Sequence, residues 1–298
     1  MNGEYFMYEL IQVSENCFYV DCPAKIGVVK VSESDAVLID SGSGKDAAKK
    51  VKRILDEQKL SLKAIYNTHS HADHIGGNRY LQDLTGCKIF SPGIERAFTE
   101  FPILEPTYLY GGNALSELHG KFLLAKESEV LPLTPDSLPD GFEIIPLPGH
   151  SFDMVGFRTA ENVIYLADCL ASEQTLEKYK ISFLYDVKSY LETLEKVKNM
   201  TAKCFVPSHA EHTSDISALA QLNVDKTLEI ADKITALCAN PISFEALLSA
   251  LFSEYSLEMT LEQRMLVGST VKCYLSYLAE CKKVSFFFEN GVMLWKKS

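Results

Sequence analysis

The chain has 298 residues, of which 47% are hydrophobic and 23% charged, and its formal net charge is -11. That much apolar material supports a sizeable core, as one large domain or as a larger domain with a small companion. The acidic balance argues against nucleic acid as the main partner, because phosphate backbones are held chiefly by Lys and Arg. No apolar run reaches the about 20 residues that a membrane-crossing helix needs.

The start, MNGEYFMYEL, has no basic segment followed by an apolar stretch, so it does not read as a signal peptide. The cysteines (Cys17, Cys22, Cys87, Cys169, Cys204, Cys238, Cys273 and Cys281) are scattered and form no CxxC pair. In a chain of this length they read as reduced, buried thiols, which fits a cytoplasmic location.

The first 40 residues read as strands. YFMYELIQV, NCFYVDC, GVVKVS and DAVLID are short runs rich in β-branched and aromatic residues, separated by turn residues. SGSGKDAAKKVKRILDEQ then turns at Ser41 to Gly44 and continues with apolar residues at helical spacing, Ala47, Val51, Ile54 and Leu55. Its GSGK lacks the full phosphate-loop pattern, since Asp46 follows Lys45, and it reads as a strand-to-helix turn. LKAIYNT is the next strand, followed by a helix from Gly77 to Leu84 and the strand CKIFSP. Residues 91–140, rich in Pro, Gly and aromatics, read as an inserted lid with one or two helices.

Strands resume at FEIIPLPGH, DMVGFRTA and NVIYLAD, and a helix from Val187 to Met200 leads into the strand AKCFVPSHA. This alternation predicts a layered α/β arrangement of two packed sheets with helices outside. Beyond residue 215 the character changes. Helical stretches run from Ile216 to Leu237, Ser243 to Phe252 and Leu261 to Cys281. VSFFFENGVMLWKK closes the chain as two strands around Glu-Asn-Gly, a hairpin signal. The expected division is a main domain over 1–215 and a small helical, winged-helix-like domain over 216–298.

The chemistry concentrates in NTHSHADHIGG, where His69, His71, Asp73 and His74 follow one strand. Neutral imidazole and carboxylate are good ligands for a borderline divalent cation such as zinc. Ligands this close together cannot all reach one ion from a regular element, whereas an irregular loop can point them at two. Gly76 and Gly77 are expected to let the backbone pass close to the metals without a Cβ in the way. Further ligands stand where other strands end: His150 in LPGH, Asp168 in IYLAD and His209 in CFVPSH. His119 and His212 are left over, and both read as ordinary polar residues. Cys169 adjoins Asp168, and strand alternation turns it to the opposite face as a buried thiol.

The order HxHxDH…H…D…H, preceded by AVLIDSG, resembles the metallo-β-lactamase-fold superfamily of metallohydrolases. The ligand separations are most similar to the hydroxyacylglutathione hydrolase-like (glyoxalase II-like) branch, in chains with a winged-helix-like C-terminal domain. The resemblance covers roughly residues 10–215 and implies an αββα sandwich. It implies that His69, His71 and His150 hold one metal, that Asp73, His74 and His209 hold a second, and that Asp168 bridges them. Asp40 would fix the motif loop from behind. The cofactor implied is two divalent ions, zinc first, with iron or manganese as alternatives. Two departures stand out: Ala167 precedes the bridging Asp168 where the family often has Gly, and Ser208 and Ala210 flank His209 where it often has Gly.

Two divalent cations lower the pKa of a shared water, so a metal-bridging hydroxide would attack the substrate bond while the second metal polarises its oxygen. Asp73 would orient that hydroxide. The reading is therefore a dinuclear metal-dependent hydrolase acting on an ester, thioester, lactone or amide of a small molecule. Phe98, Phe101, Tyr108 and Tyr110 of the lid would line or cover the pocket, or form the lid's own core. One alternative is a metal-dependent nuclease gripping its strand through the C-terminal hairpin. Residues 241–298 balance Arg264, Lys272, Lys282, Lys283, Lys296 and Lys297 against Glu245, Glu254, Glu258, Glu262, Glu280 and Glu289, so nucleic acid is not favoured. Another alternative is a mononuclear iron oxidoreductase resembling the persulfide dioxygenases, which keep the same motif. Flavodiiron relatives fit less well, because His71 stands where they carry Glu. The apolar strands of the C-terminal hairpin need a partner surface, in the same chain or in a homodimer.

Overall fold

The structure is a computed structural model that describes residues 8–298. Residues 1–7, with the beginning of the first expected strand and the leader reading, lie outside the described residues. Two sheets face each other. The first contains β1 (Glu9–Gln12), β2 (Cys17–Asp21), β3 (Ile26–Lys30), β4 (Asp35–Ile39), β5 (Ser61–Tyr66), β6 (Lys88–Ser91) and β7 (Leu131–Pro132), side by side in chain order. Its first four strands form an antiparallel meander, and β4 to β7 run parallel. The second holds β8 (Glu143–Pro146), β9 (Val155–Arg158), β10 (Val163–Ala171) and β11 (Cys204–His209) in the order β11-β10-β9-β8.

Period-two patterning explains the layers. In β4, Val37 and Ile39 enter the core between the sheets, while Ala36 and Leu38 face the other way. Helix α1 (Lys45–Glu57) covers that outer face with Val51 and Leu55; the motif turn α2 (Ala72–Ile75) is followed by α3 (Asn78–Thr85), which adds Leu81. In β10, Val163 and Tyr165 point to the first sheet. Ile164 and Leu166 point to the helices behind the second. β4 and β10 are thus buried on both faces, and their sequences read as continuous apolar runs.

The segment over 91–140 carries α4 (Glu95–Glu100), α5 (Leu104–Tyr110) and a short 3-10 turn (Ser116–His119). It is less of a separate lid than its composition implies. Leu131 and Pro132 pair with Phe90 and Ser91 and extend the first sheet. After β10 comes α6 (Glu173–Tyr179), unanticipated from the sequence although Ser172 caps it by accepting from Thr175 N. Then follows α7 (Val187–Lys198).

The C-terminal part has α8 (Ser217–Leu237), β12 (Ile242–Ser243), α9 (Phe244–Glu254), α10 (Leu261–Glu280), β13 (Val284–Glu289) and β14 (Val292–Lys297). Asn290 (φ 51°) and Gly291 (φ 78°) make the β13–β14 turn, as Glu-Asn-Gly predicts. Ile230 of α8, Leu251 of α9 and Val271 of α10 share one core cluster with Leu166 of β10 and Leu194 of α7. Helix α10 also covers the inserted segment, where Leu261, Met265 and Leu266 pack on Leu109, Leu118 and Leu123. The cysteines are all free, and Cys281 alone among them is exposed. Among the described residues no helix is long and apolar enough to cross a membrane.

Candidate metal centre

The side chains singled out in the sequence converge at one end of the sandwich, in two groups. His69, His71 and His150 bring ligand atoms within 4.8 Å of one another, and Asp73, His74, Asp168 and His209 do the same. Their local settings differ from expectation in three places. Asp73 and His74 lie on the single helical turn α2 rather than on irregular loop. His150 lies in the loop between β8 and β9, beyond the end of β8 at Pro146. Asp168 is inside β10, which continues to Ala171. There the β10–β11 register slips on either side of Ala167, whose φ is 51°. This break in the pleat turns Asp168 toward the histidines.

Ala167 thus occupies the left-handed region where the resembling family often carries Gly. An L-residue there costs about 1–2 kcal/mol. Ala167→Gly relieves that strain and loses one buried methyl, worth about 0.8 kcal/mol. Glycine also loses about 0.5–1 kcal/mol in chain entropy, so unfolding in urea should find the two forms within about 1 kcal/mol, whereas a buried Ala in ordinary strand geometry would lose clearly more on conversion to Gly.

Gly76 and Gly77 do not approach the metal ligands, as the sequence had implied, but the loop after β4. A Cβ on Gly77 would lie 2.3 Å from Ser41 O, and one on Gly76 would lie 2.6 Å from Gly44 N. Ser41 holds the motif from the same loop, donating from its N (2.7 Å) and Oγ (3.0 Å) to His74 O.

Hydrogen-bond partners fix the tautomers. Asp40, 2% exposed and itself at φ 63°, accepts from Thr68 N (2.8 Å), Thr68 Oγ1 (2.7 Å) and His74 Nδ1 (2.8 Å). Because the Thr68 hydroxyl donates to Asp40, its oxygen is left to accept from His69 Nδ1 at 3.0 Å. His150 Nδ1 donates to Phe183 O at 3.1 Å. His69, His74 and His150 therefore turn Nε2 inward. His71 turns Nδ1 inward, 3.0 Å from both His69 Nε2 and His150 Nε2, and leaves Nε2 facing Glu105 Oε1 at 3.8 Å.

Electrostatics separate the groups. Burial and the neighbouring imidazoles hold His69 well below its ordinary pKa. Burial is also the main reason that His71 and His150 fall to about 4. All are neutral at pH 7, so three lone pairs meet with no proton between them. In the other group, burial opposes protonation of His74 and His209, but facing carboxylates outweigh it. Asp168, Asp73 and Asp40 hold His74 well above its ordinary value, and Asp168 and Asp73 raise His209 to about 10. Asp168 Oδ1 is 3.1 Å from His74 Nε2, and its Oδ2 is 3.1 Å from His209 Nε2 and 3.6 Å from His150 Nε2. Despite that proximity, His74 Nε2 and Asp168 Oδ1 are buried without an aligned hydrogen-bond partner. An unpartnered buried carboxylate oxygen, Asp168 Oδ1, beside converging lone pairs is what a cation would satisfy, so the donor set fits divalent metal.

The remaining candidates fall outside these groups. His119 is exposed on the 3-10 turn, and exposed His212 contacts Tyr19 Oη at 3.0 Å through Nδ1. Cys169 is fully buried in the core behind the second sheet, where burial pushes its thiol pKa well up. Phe98 and Tyr108 join Phe152 and Tyr185 in an aromatic cluster, whereas Phe101 and Tyr110 face solvent. Two supports went unread in the sequence. The ring of Phe183 packs edge-on against His71 and His150. Glu95 is fully buried beside the motif, although in GIERAFTE it looks like an ordinary helix-surface charge.

The sequence pattern described as "Metallo-beta-lactamase superfamily" matches residues 19–209. An uncharacterized protein of Mycobacterium tuberculosis is 29% identical over 147 residues, 46% of this chain and 63% of its own length. A Haemophilus influenzae protein named hydroxyacylglutathione hydrolase GloC is 30% identical over 141 residues, 46% of this chain and 62% of its own length. The chain thus spans somewhat less than two thirds of these curated relatives. Among solved structures, a metallo-beta-lactamase family protein from Thermus thermophilus superposes with a TM-score of 0.71 at 18% identity, covering 95% of this chain and 98% of that one. That likeness spans the C-terminal part and concerns the fold.

Proposed function

This chain belongs to the metallo-beta-lactamase superfamily, and from that premise we propose that it is a metal-dependent hydrolase holding two divalent ions, zinc foremost. His69, His71 and His150 would hold one ion, Asp73, His74 and His209 the other, and Asp168 would stand between them. The observation that carries this is the meeting of neutral His69, His71 and His150 nitrogens at 3.0 Å beside the unpartnered Asp168 Oδ1 and His74 Nε2. Ions bound there would bring water toward its hydroxide form at neutral pH and polarise the bond under attack.

The chain's own groups supply the rest. Asp73 is the most exposed member of the set, with its side chain 39% accessible, and it orients the attacking water by accepting a hydrogen bond. Phe183 covers His71 and His150 and keeps bulk water from that side. Phe98, Tyr108, Phe152 and Tyr185 offer an apolar wall to a small-molecule substrate. The target is an ester, thioester, lactone or amide bond, and the name of the Haemophilus influenzae relative supports an acyl substrate. In this reading residues 1–215 are the catalytic unit. Residues 216–298 support its rim: Thr270 Oγ1 of α10 accepts from Leu184 N at 3.2 Å, next to Phe183.

A panel of thioesters, esters, lactones and amides with zinc-loaded protein tests the proposal. At least one class should turn over, stop on chelation, resume with zinc and be lost in His71→Ala. Turnover of none, or turnover that survives both chelation and His71→Ala, rules it out. A single tightly held iron per chain would instead favour the persulfide dioxygenase-like reading.

A further inference from the structure

Glu95 is the first residue of α4, in the inserted segment, and it is a carboxylate with no exposure. No basic side chain among the described residues pairs with it. Its oxygens are instead divided between two loops. Oε2 accepts from Ser70 N (3.0 Å) and Ser70 Oγ (2.5 Å), and Ser70 lies between His69 and His71. Oε1 accepts from Ser151 Oγ (2.6 Å) and Asp153 N (3.0 Å), and Ser151 directly follows His150. The attachment is reciprocal, since Asp153 Oδ2 accepts from Ile94 N at 2.9 Å.

The bonds of Glu95 fall on the residues beside His69, His71 and His150; Asp73 and His74 follow on the same motif segment, but His74 is held separately by Asp40 and Ser41. Among the described residues no hydrogen bond or ion pair joins Glu95 to Asp73, His74, Asp168 or His209. Charge-assisted bonds to backbone N–H groups are short and directional, so they fix loop position more firmly than neutral bonds do. The cost of burying this carboxylate is met only if both loops keep their places.

We propose that Glu95 is a positioning residue that sets the spacing of His69, His71 and His150 and so tunes the affinity of that one metal site. The inference rests on the reading that these histidines hold an ion. It gives the inserted segment a second role besides lining the pocket: it is the third side of the metal site.

The chemistry selects a diagnostic variant. In Glu95→Gln one oxygen becomes NH2. The serine hydroxyls can rotate to accept from it, but Ser70 N–H and Asp153 N–H cannot. Either amide orientation sets the new NH2 against one backbone donor, so one of the two loops is released. Outer-shell partners of this kind typically change metal affinity by about 10–100-fold.

The test is a zinc titration of the metal-free, full-length chain against a competing chelator, with His150→Ala marking the step that belongs to the three-histidine group. Glu95→Gln should weaken that same step by about 10–100-fold and leave the other step at its wild-type affinity. Ser151→Ala, which removes one of the four bonds, should weaken it less and serves if Glu95→Gln does not fold. Urea unfolding of the metal-free forms separates a merely structural role, which would lower stability while both steps keep wild-type affinity; that result overturns the proposal. Equal weakening of both steps overturns it as well. A wild type with a single zinc step defeats the two-ion reading alone, and Glu95 is then judged on whether it weakens the step that His150→Ala abolishes. A wild type that binds no zinc overturns both.

Discussion

Asp168→Asn should leave the folded chain with no more than one tightly held divalent ion and lower hydrolysis by about a thousandfold or more. Asp168 is the carboxylate that touches both groups, at 3.1 Å from His74 and His209 and 3.6 Å from His150. Asparagine keeps its shape and removes its charge. Two adjacent cations would then face the neutral His69, His71 and His150 with only Asp73 to offset them, so the second ion binds poorly. Losing one ion removes several kcal/mol of charge stabilisation in the transition state, and about 4 kcal/mol corresponds to a factor near a thousand. Metal content after dialysis, with turnover of the best substrate in the panel, reads both effects. A variant that keeps two ions and wild-type turnover would remove Asp168 from the account.

The second large effect is on stability, at Gly149. Its φ is 122°, and a Cβ there would lie 2.3 Å from Tyr190 N and 2.4 Å from Tyr190 Cα, which are backbone atoms of α7. The same residue is fastened from below, because Gly149 O accepts from Tyr185 N and Asp186 N, each at 3.0 Å. The loop can neither keep its conformation with a methyl group nor move away without breaking those bonds. Backbone strain of this kind costs about 1–3 kcal/mol before the overlap with α7 is added. Gly149→Ala should therefore lose about 3 kcal/mol or more in urea unfolding, a large share of a typical 5–15 kcal/mol. It should also weaken zinc binding, because His150 follows directly. Wild-type stability in Gly149→Ala would show that the helix yields there.

Much of this arrangement is legible in the sequence, because the signals are local and repeated. Continuous apolar runs mark strands buried on both faces, as in β4 and β10. Asn290-Gly291 sets its hairpin through backbone conformation alone. The histidines and aspartates advertise their chemistry by spacing. What could not be read depends on partners remote in the chain. Alternation assigns Cys169 to the buried face, but nothing local announces that Ala167 adopts φ 51° and swings Asp168 inward from mid-strand. Gly76 and Gly77 are recognisable as close-approach residues, yet the surface approached is the Ser41–Gly44 loop. Glu95 looks like a solvated helix charge until Ser70 and Ser151, 25 and 56 residues away, close around it. The inserted segment reads as a lid from its composition, whereas its end joins the first sheet and its middle packs under α10.

The central claim is that these imidazoles and carboxylates converge to bind a pair of cations. Anomalous scattering from crystals grown with excess zinc tests it most directly. The account predicts two peaks in each chain, one among His69, His71 and His150 and one among Asp73, His74 and His209, with Asp168 between them. Crystals that show no peak there, with the imidazoles turned away from one another, would contradict it.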